Sequence, residues 1–438
     1  MEQKDRPPAS LAWLVWGLGA AFYFTAFYHR VAPAVMTDQL MAEFRIGARE
    51  LGQFSAFYFY SYVLMQIPTG ILADHWGPRK LLTAGSLVAA VGTLLFASAP
   101  SILAANLGRL LIGGAAGVAF VALLQLSTRW FPIRFYATVS GITLFVGVSG
   151  AVFAGIPLHY LVEGWGWRPV MFMAVAIHLL IGAGIWRIVR DDPSRRDDRD
   201  SATPGPKASP SRKALFGGFV QVLRYRNTWI LSAVAGGLAG PVLAFAGLWG
   251  VPFFTTHYKL PTAASSAITS LMLVCYAVGG VLLGAWSDRI GLRKPVLVSA
   301  SAVALLCWIP ILFVPALPLY LLVALVIAAG LAGGAVIVTF ACVKESVPAA
   351  LAGTVTGVVN MGSMGGGMIL QPAVGTVLDL LWGGTILDGV RIYGLDAYWW
   401  GFIPIAAFSL LALIAGLFTA ETRCKQTADG DPAGAGNP

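Results

Sequence analysis

Charge is what this sequence has least of. Only 11% of its residues are Asp, Glu, Lys or Arg, against 57% hydrophobic ones. Its mean hydropathy is +0.76. Soluble domains carry about 25% charged residues, so a soluble domain is excluded and most of the chain belongs in lipid. Cysteine is sparse too. Cys275, Cys307, Cys342 and Cys424 show no metal-ligand spacing, and three of them sit in apolar runs where a free thiol behaves as a small hydrophobe. No metal site and no cofactor are expected. Long runs such as 81–97 and 317–338 do not alternate at period two, which excludes a closed β-barrel. A Walker-type phosphate loop is missing, so ATP is not the expected energy source. No nucleophile–base pair stands near an interface, so an enzyme is not expected and no catalytic residue is assigned. A membrane sensor would need a sizeable soluble domain, and the polar stretch 191–228 is too short for one.

What is present is a series of apolar stretches of membrane-spanning length, about twelve at 20 to 25 residues each. They fall near 11–36, 51–73, 80–99, 102–127, 136–161 and 168–190, then 229–254, 263–287, 295–315, 317–342, 351–379 and 397–419. The N-terminus lacks a net-basic leader and the run from Leu11 is long enough to span, so an uncleaved first helix is expected. The predicted fold class is an all-α membrane protein of twelve transmembrane helices in two six-helix, pseudo-symmetric bundles. Residues 1–190 and 229–424 form the bundles, 191–228 the linker and 425–438 a tail. The linker is charged and rich in Pro and Ser, with a short interfacial helix expected at 216–225. Most of the 29 Lys and Arg residues fall on the linker side. Arg45, Arg49, Arg168, Lys259 and Arg391 fall on the other, and Arg30 and Arg109 lie within spans. That bias puts both termini in the cytoplasm of a cell whose inner membrane the chain crosses many times. It also explains the basic pI without nucleic acid. The lipid bilayer is the expected partner and the protein is expected to act as a monomer.

One stretch occurs twice. Gly70-Ile-Leu-Ala-Asp74-His-Trp-Gly77-Pro-Arg79-Lys80 returns as Gly284-Ala-Trp-Ser-Asp288-Arg-Ile-Gly291-Leu-Arg293-Lys294. Gly, Asp, Gly, Arg and Lys keep their order and spacing between apolar runs, so one embedded half is used twice. The repeat continues. Thr138-Val-Ser-Gly141 matches Thr354-Val-Thr-Gly357, and Glu163 matches Asp379 at the same offset. Spans five and eleven are both dense in glycine, which lets helices approach closely in lipid.

The paired loops resemble the hallmark of the major facilitator superfamily of secondary transporters, a Gly-x-Leu-Ala-Asp-Arg-x-Gly-Arg-Arg loop between spans two and three with a weaker copy between eight and nine. Departures stand at His75, Pro78 and Trp286. The resemblance implies two bundles related by a pseudo-twofold axis along the membrane normal, rocking about one central site by alternating access. It further implies a gating role for the loops. Asp74 and Asp288 would meet helix N-termini across the halves, while Arg79 and Arg293 would bind nearby carboxylates, latching the cytoplasmic side.

Within the spans, Arg30 and Arg109 have no Asp or Glu at comparable depth. A guanidinium at mid-bilayer costs about 2.5 to 3.5 kcal/mol on insertion scales, so an anionic cargo is expected to neutralise it. Tyr28-His29-Arg30 resembles the first-span pattern Tyr-x-Asp-Arg of the anion:cation symporters, which carry organic acids or phosphate esters. His29 stands where Asp is usual, and Ala116 where a proton-coupling Glu would fall. Arg109 opens Arg-Leu-Leu-Ile-Gly113-Gly-Ala115-Ala116, similar to the family's fourth-span motif, in which the Arg often holds backbone. Ser55 to Tyr62 and the stretch after Arg30 also resemble phagosomal transporters of amino acids or nucleosides. The expected function is proton-coupled symport of a small organic anion. The alternatives are amino-acid or other nutrient uptake, drug efflux and, from another class, a non-transporting sensor. His29 is the first candidate proton carrier, with His159 and His178 behind it. Arg30, Arg109, Tyr23, Gln125, Trp249, Asn360 and Gln371 are the candidate substrate-binding residues.

Overall fold

The computed structural model describes residues 8–132, 135–191, 212–387 and 389–426. Glycine and proline set where its helices break. α1 (Ala9–Val31) runs into a 3-10 turn at Ala32–Val35 and then the short α2 (Thr37–Phe44). α3 (Ala48–Ala97) is two spans joined at Gly77, whose φ of 77° suits glycine alone among the common residues. α4 (Ile102–Trp130), α5 (Tyr136–Phe153), α6 (Ile156–Trp165) and α7 (Trp167–Ile188) complete the first half. The expected fifth span is divided into α5 and α6, because Pro157 starts a new helix and cannot continue the old one. α8 (Arg212–Val222) lies in the linker and overlaps the stretch expected for it, starting a few residues earlier. Linker residues 192–211 and tail residues 427–438 lie outside the described residues.

The second half holds α9 (Arg226–Ala244), α10 (Gly250–His257), α11 (Thr262–Ile290), α12 (Lys294–Phe313), α13 (Leu319–Gly333), α14 (Val336–Glu345), α15 (Ala352–Leu380) and α16 (Leu395–Leu417). Two expected spans are again composite. A π-helical turn, Phe245–Trp249, joins α9 to α10, and a break at Gly334 and Ala335 separates α13 from α14. A small antiparallel hairpin, β1 (Ile386–Leu387) with β2 (Val390–Arg391), sits before α16. The sequence reading had no strand there.

Ten of the helical segments are long and apolar enough to cross a membrane. The first segment of α3 and the whole of α15 are of similar length but carry more Gly, Ser and Tyr, and they fall outside that set. With them the arrangement is consistent with two sets of six. These two helices pack against each other between the halves, where Gly52 faces the Gln371 backbone and Gly367 faces Phe59. Small residues there replace lipid contact with close backbone contact. Elsewhere many large apolar side chains are exposed, among them Leu103, Phe145, Leu180, Val281 and Leu306.

The extensive contacts between halves lie on the side away from the linker. α3 meets α15, α5 and α6 meet α11, and the 3-10 turn after α1 meets the π turn. On the linker side each repeated loop is tied within its own half. The Asp191 carboxylate accepts from the Arg79 backbone N–H at 2.8 Å, and the Arg79 guanidinium donates to the Trp186 carbonyl at 2.7 Å. In the second copy Glu421 accepts from the N–H groups of Arg293 and Lys294, at 3.0 and 2.8 Å. Burial opposes the charge on Glu421, but those N–H groups outweigh it and hold the carboxyl below its ordinary value. The two loops thus share one construction, a carboxylate from the half's last helix end on the N–H groups of the helix after the loop.

Candidate functional site

Arg30, in the last turn of α1, is buried at 6% exposure. Its guanidinium carbon lies 4.2 Å from the Phe27 ring centre, 5.3 Å from Tyr62 and 5.7 Å from Tyr58. Its Nε is buried without a hydrogen-bond partner. Among the described residues no carboxylate forms an ion pair with it. Aromatic faces attract a cation by about 0.5 to 2 kcal/mol each, which shelters the charge without neutralising it. Tyr276 on α11 and Ser363 on α15 bring the second half to this site. Tyr23, a predicted lining residue, stacks on Phe120 at 5.3 Å and meets Phe27 edge-on at 5.0 Å. That cluster rests on Gly147, where any Cβ would come within 2.6 Å of the Tyr23 ring.

Arg109 is spent differently. It is 1% exposed, and its Nη1 donates to the His29 carbonyl at 2.5 Å while Nη2 reaches the Ser55 carbonyl at 3.5 Å. The reason lies four residues past His29. Pro33 has no N–H, so the His29 carbonyl lacks its helical donor, and an orphan carbonyl in a bilayer needs another. Arg109 supplies it and pins α1 to α3. Where two cations facing one anion were expected, Arg109 holds backbone carbonyls while Arg30 faces aromatic rings, and neither forms an ion pair among the described residues.

His29 turns its ring the other way. Its Nε2 lies 3.0 Å from His178 Nε2 on α7 and 3.4 Å from the Thr93 hydroxyl. The His178 carbonyl accepts from Ser86 at 2.7 Å, and its Nδ1 is buried without a partner. Two of the three candidate histidines therefore form one pair inside the first half. His159 is separate, on α6, at 3.5 Å from the mostly exposed Glu163.

Trp249 and Gln371 bond to each other, not toward Arg30. The indole N–H donates to the Gln371 carbonyl at 3.0 Å, and the Gln371 amide donates to the Leu243 carbonyl beside the π turn at 3.0 Å. Trp249 also lines a cavity of about 240 Å³ between the halves on the side away from the linker, with Asp38, Lys259, Arg391 and Tyr393. Gln125 on α4 and Asn360 on α15 are half-buried. Arg293 donates to Asp288 at 2.6 Å and to Glu345 at 2.7 Å. Hydrogen bonds to Glu345 and then Asp288 push the Arg293 pKa further up against burial. Asp288 is thus bound within its own loop in this conformation, and the side chain of Asp74 lies outside the described residues. Sequence reasoning missed Phe27, Tyr58, Tyr62 and Tyr276 as individual neighbours of Arg30, since aromatic residues are common throughout the spans.

Comparison with known proteins agrees with this architecture. Over 291 residues the chain is 28% identical to a probable sulfoacetate transporter of Cupriavidus necator, covering 63% of this chain and 65% of that one. It thus spans less than two thirds of that relative. Over 400 residues it is 24% identical to the cis,cis-muconate transport protein of Acinetobacter baylyi, covering 89% and 93%. The crystal structure of a bacterial homologue of the human lysosomal transporter Spinster, inward-facing and unoccupied, superposes with a TM-score of 0.73 at 18% identity, covering 94% of this chain and 97% of that one. The relatives are transporters and not enzymes. With a family model matching residues 15–369 and 243–435, the chain belongs to the Major Facilitator Superfamily.

Proposed function

We propose that the protein moves a small organic anion, a carboxylate or phosphate ester, across the inner membrane as a symporter with protons. The observation that carries this reading is Arg30, a buried guanidinium walled by aromatic rings and unpaired with any carboxylate among the described residues. A charge pair at 4 Å is worth about 4 kcal/mol at an effective dielectric of 20, enough to prefer an anion over a neutral analogue. Names of relatives that carry sulfoacetate and muconate support the same class. The Lys and Arg bias supports a cytoplasmic linker side, which would turn the closed side outward.

The His29–His178 pair supplies the proton step. A neutral pair holds one N–H···N bond between the two Nε2 atoms. A second proton makes both atoms donors, which cannot stay 3.0 Å apart. Protonation therefore pushes α1 away from α7 while Arg109 holds the backbone of His29. Purified protein in proteoliposomes tests the reading. Anionic solutes should compete for uptake and zwitterionic ones should not, and Arg30→Ala should lose that preference. Normal anion uptake by both Arg30→Ala and Arg30→Lys would falsify the clamp.

A further inference from the structure

The start of α3 is finished by residues from the other half. The first N–H groups of a helix have no partner inside it. Here the Gly47 N–H finds Glu50 in the same turn, at 3.0 Å. The next two do not stay within the half. Ala48 N–H donates to Asp379 Oδ1 at 3.2 Å and to the Tyr393 hydroxyl at 2.8 Å, and Arg49 N–H donates to Asp379 Oδ2 at 2.8 Å. Asp379, at the end of α15, is itself held by two neighbours from its own half. The Tyr393 hydroxyl donates to Oδ1 at 2.6 Å, and Arg391 Nη1 donates to it at 3.2 Å. Burial and then the bond to Asp379 push the Tyr393 pKa up, so it stays a donor at neutral pH.

The backbones touch beside this junction. A Cβ on Gly375 would lie 2.2 Å from the Ala48 carbonyl oxygen, and one on Gly52 would lie 2.6 Å from the Gln371 carbonyl oxygen. A helix start also carries partial positive charge, which a carboxylate complements. Asp379 therefore adds a charged cap at a point where the backbones of the two halves meet.

We propose that Asp379, set by Tyr393 and Arg391, is a removable cap that keeps the mouth away from the linker shut and is released once in each transport cycle. Opening this mouth separates α15 from α3, which breaks the three cross-half N–H bonds together and leaves the carboxylate with its same-half partners. The repeat offers a built-in contrast. Glu163 occupies the matching place in the first half, yet it is mostly exposed and pairs with His159 of its own helix. Among the described residues the cap therefore exists on one side of the pseudo-symmetry only. This proposal rests on alternating access and not on the cargo, so its test needs no substrate.

The test measures distances between spin labels on the full chain in lipid nanodiscs, at Trp165→Cys and Leu387→Cys, with the four native cysteines replaced. Bonds to a charged group are worth enough to move a two-state ratio about tenfold or more. Asp379→Asn should shift the population toward the longer, open-mouth distance by about that factor. Tyr393→Phe should shift it the same way by less, and Glu163→Gln should leave it in place. The cap is overturned if Asp379→Asn and Tyr393→Phe give the distribution of Glu163→Gln, or if Glu163→Gln moves it equally. Where Asp379→Asn does not insert, Tyr393→Phe against Glu163→Gln decides alone.

Discussion

Arg30 and Arg109 are both buried, both lie in the first half and both have an aromatic face beside the guanidinium. Their surroundings differ in one respect. Arg109 has carbonyl oxygens to donate to, one of them orphaned by Pro33, whereas Arg30 has aromatic rings, the Tyr58 hydroxyl and an unpartnered Nε. A buried cation with acceptors supports the fold. The proposed anion binding rests on Arg30, whose surroundings are aromatic rings and not backbone carbonyls.

The difference can be broken by substitution. Arg109→Ala strands the His29 carbonyl, at about 1 to 3 kcal/mol, and removes the tie to the Ser55 carbonyl. It should cost most, seen as a clear fall in thermal midpoint in detergent and poor recovery of folded protein. Arg30→Ala should leave that midpoint nearly unchanged and weaken anion uptake about 100-fold, the equivalent of about 3 kcal/mol. If the two variants exchange these outcomes, the assignment is reversed. His29→Gln keeps the carbonyl that Arg109 holds but removes one imidazole of the pair. Uptake should persist with a flattened pH profile in proteoliposome flux, and a profile unchanged from the parent removes the pair from coupling. The smallest effect sharpens the comparison most. Pro33→Ala returns an N–H to the His29 carbonyl, so Arg109→Lys should be milder by about 1 kcal/mol in the Pro33→Ala background. Additive losses in that double-mutant cycle would show that Pro33 is not why Arg109 is needed.

Much of this was legible before any coordinates. The doubled loop gave the repeat, and the fourth-span motif already allowed Arg109 a backbone-holding role. The clue to its partner, Pro33, was in plain view, but a sequence shows only that a carbonyl is orphaned and not which donor arrives. Hydropathy reads the lipid-facing helices well and falls short at the first segment of α3 and at α15, because these two face protein and trade leucine for glycine and tyrosine. Asp379 and Glu163 look alike in one dimension. Only the fold reveals that one meets a helix start and the other does not.

The wide turn at Phe245–Trp249 has a consequence of its own. One extra residue in a turn rotates everything beyond it by about 100° relative to a regular helix, and here that rotation sets the indole of Trp249 on the Gln371 carbonyl. The extra residue thus fixes which side of the seventh span presents Trp249, and deleting it would turn the indole off the Gln371 carbonyl.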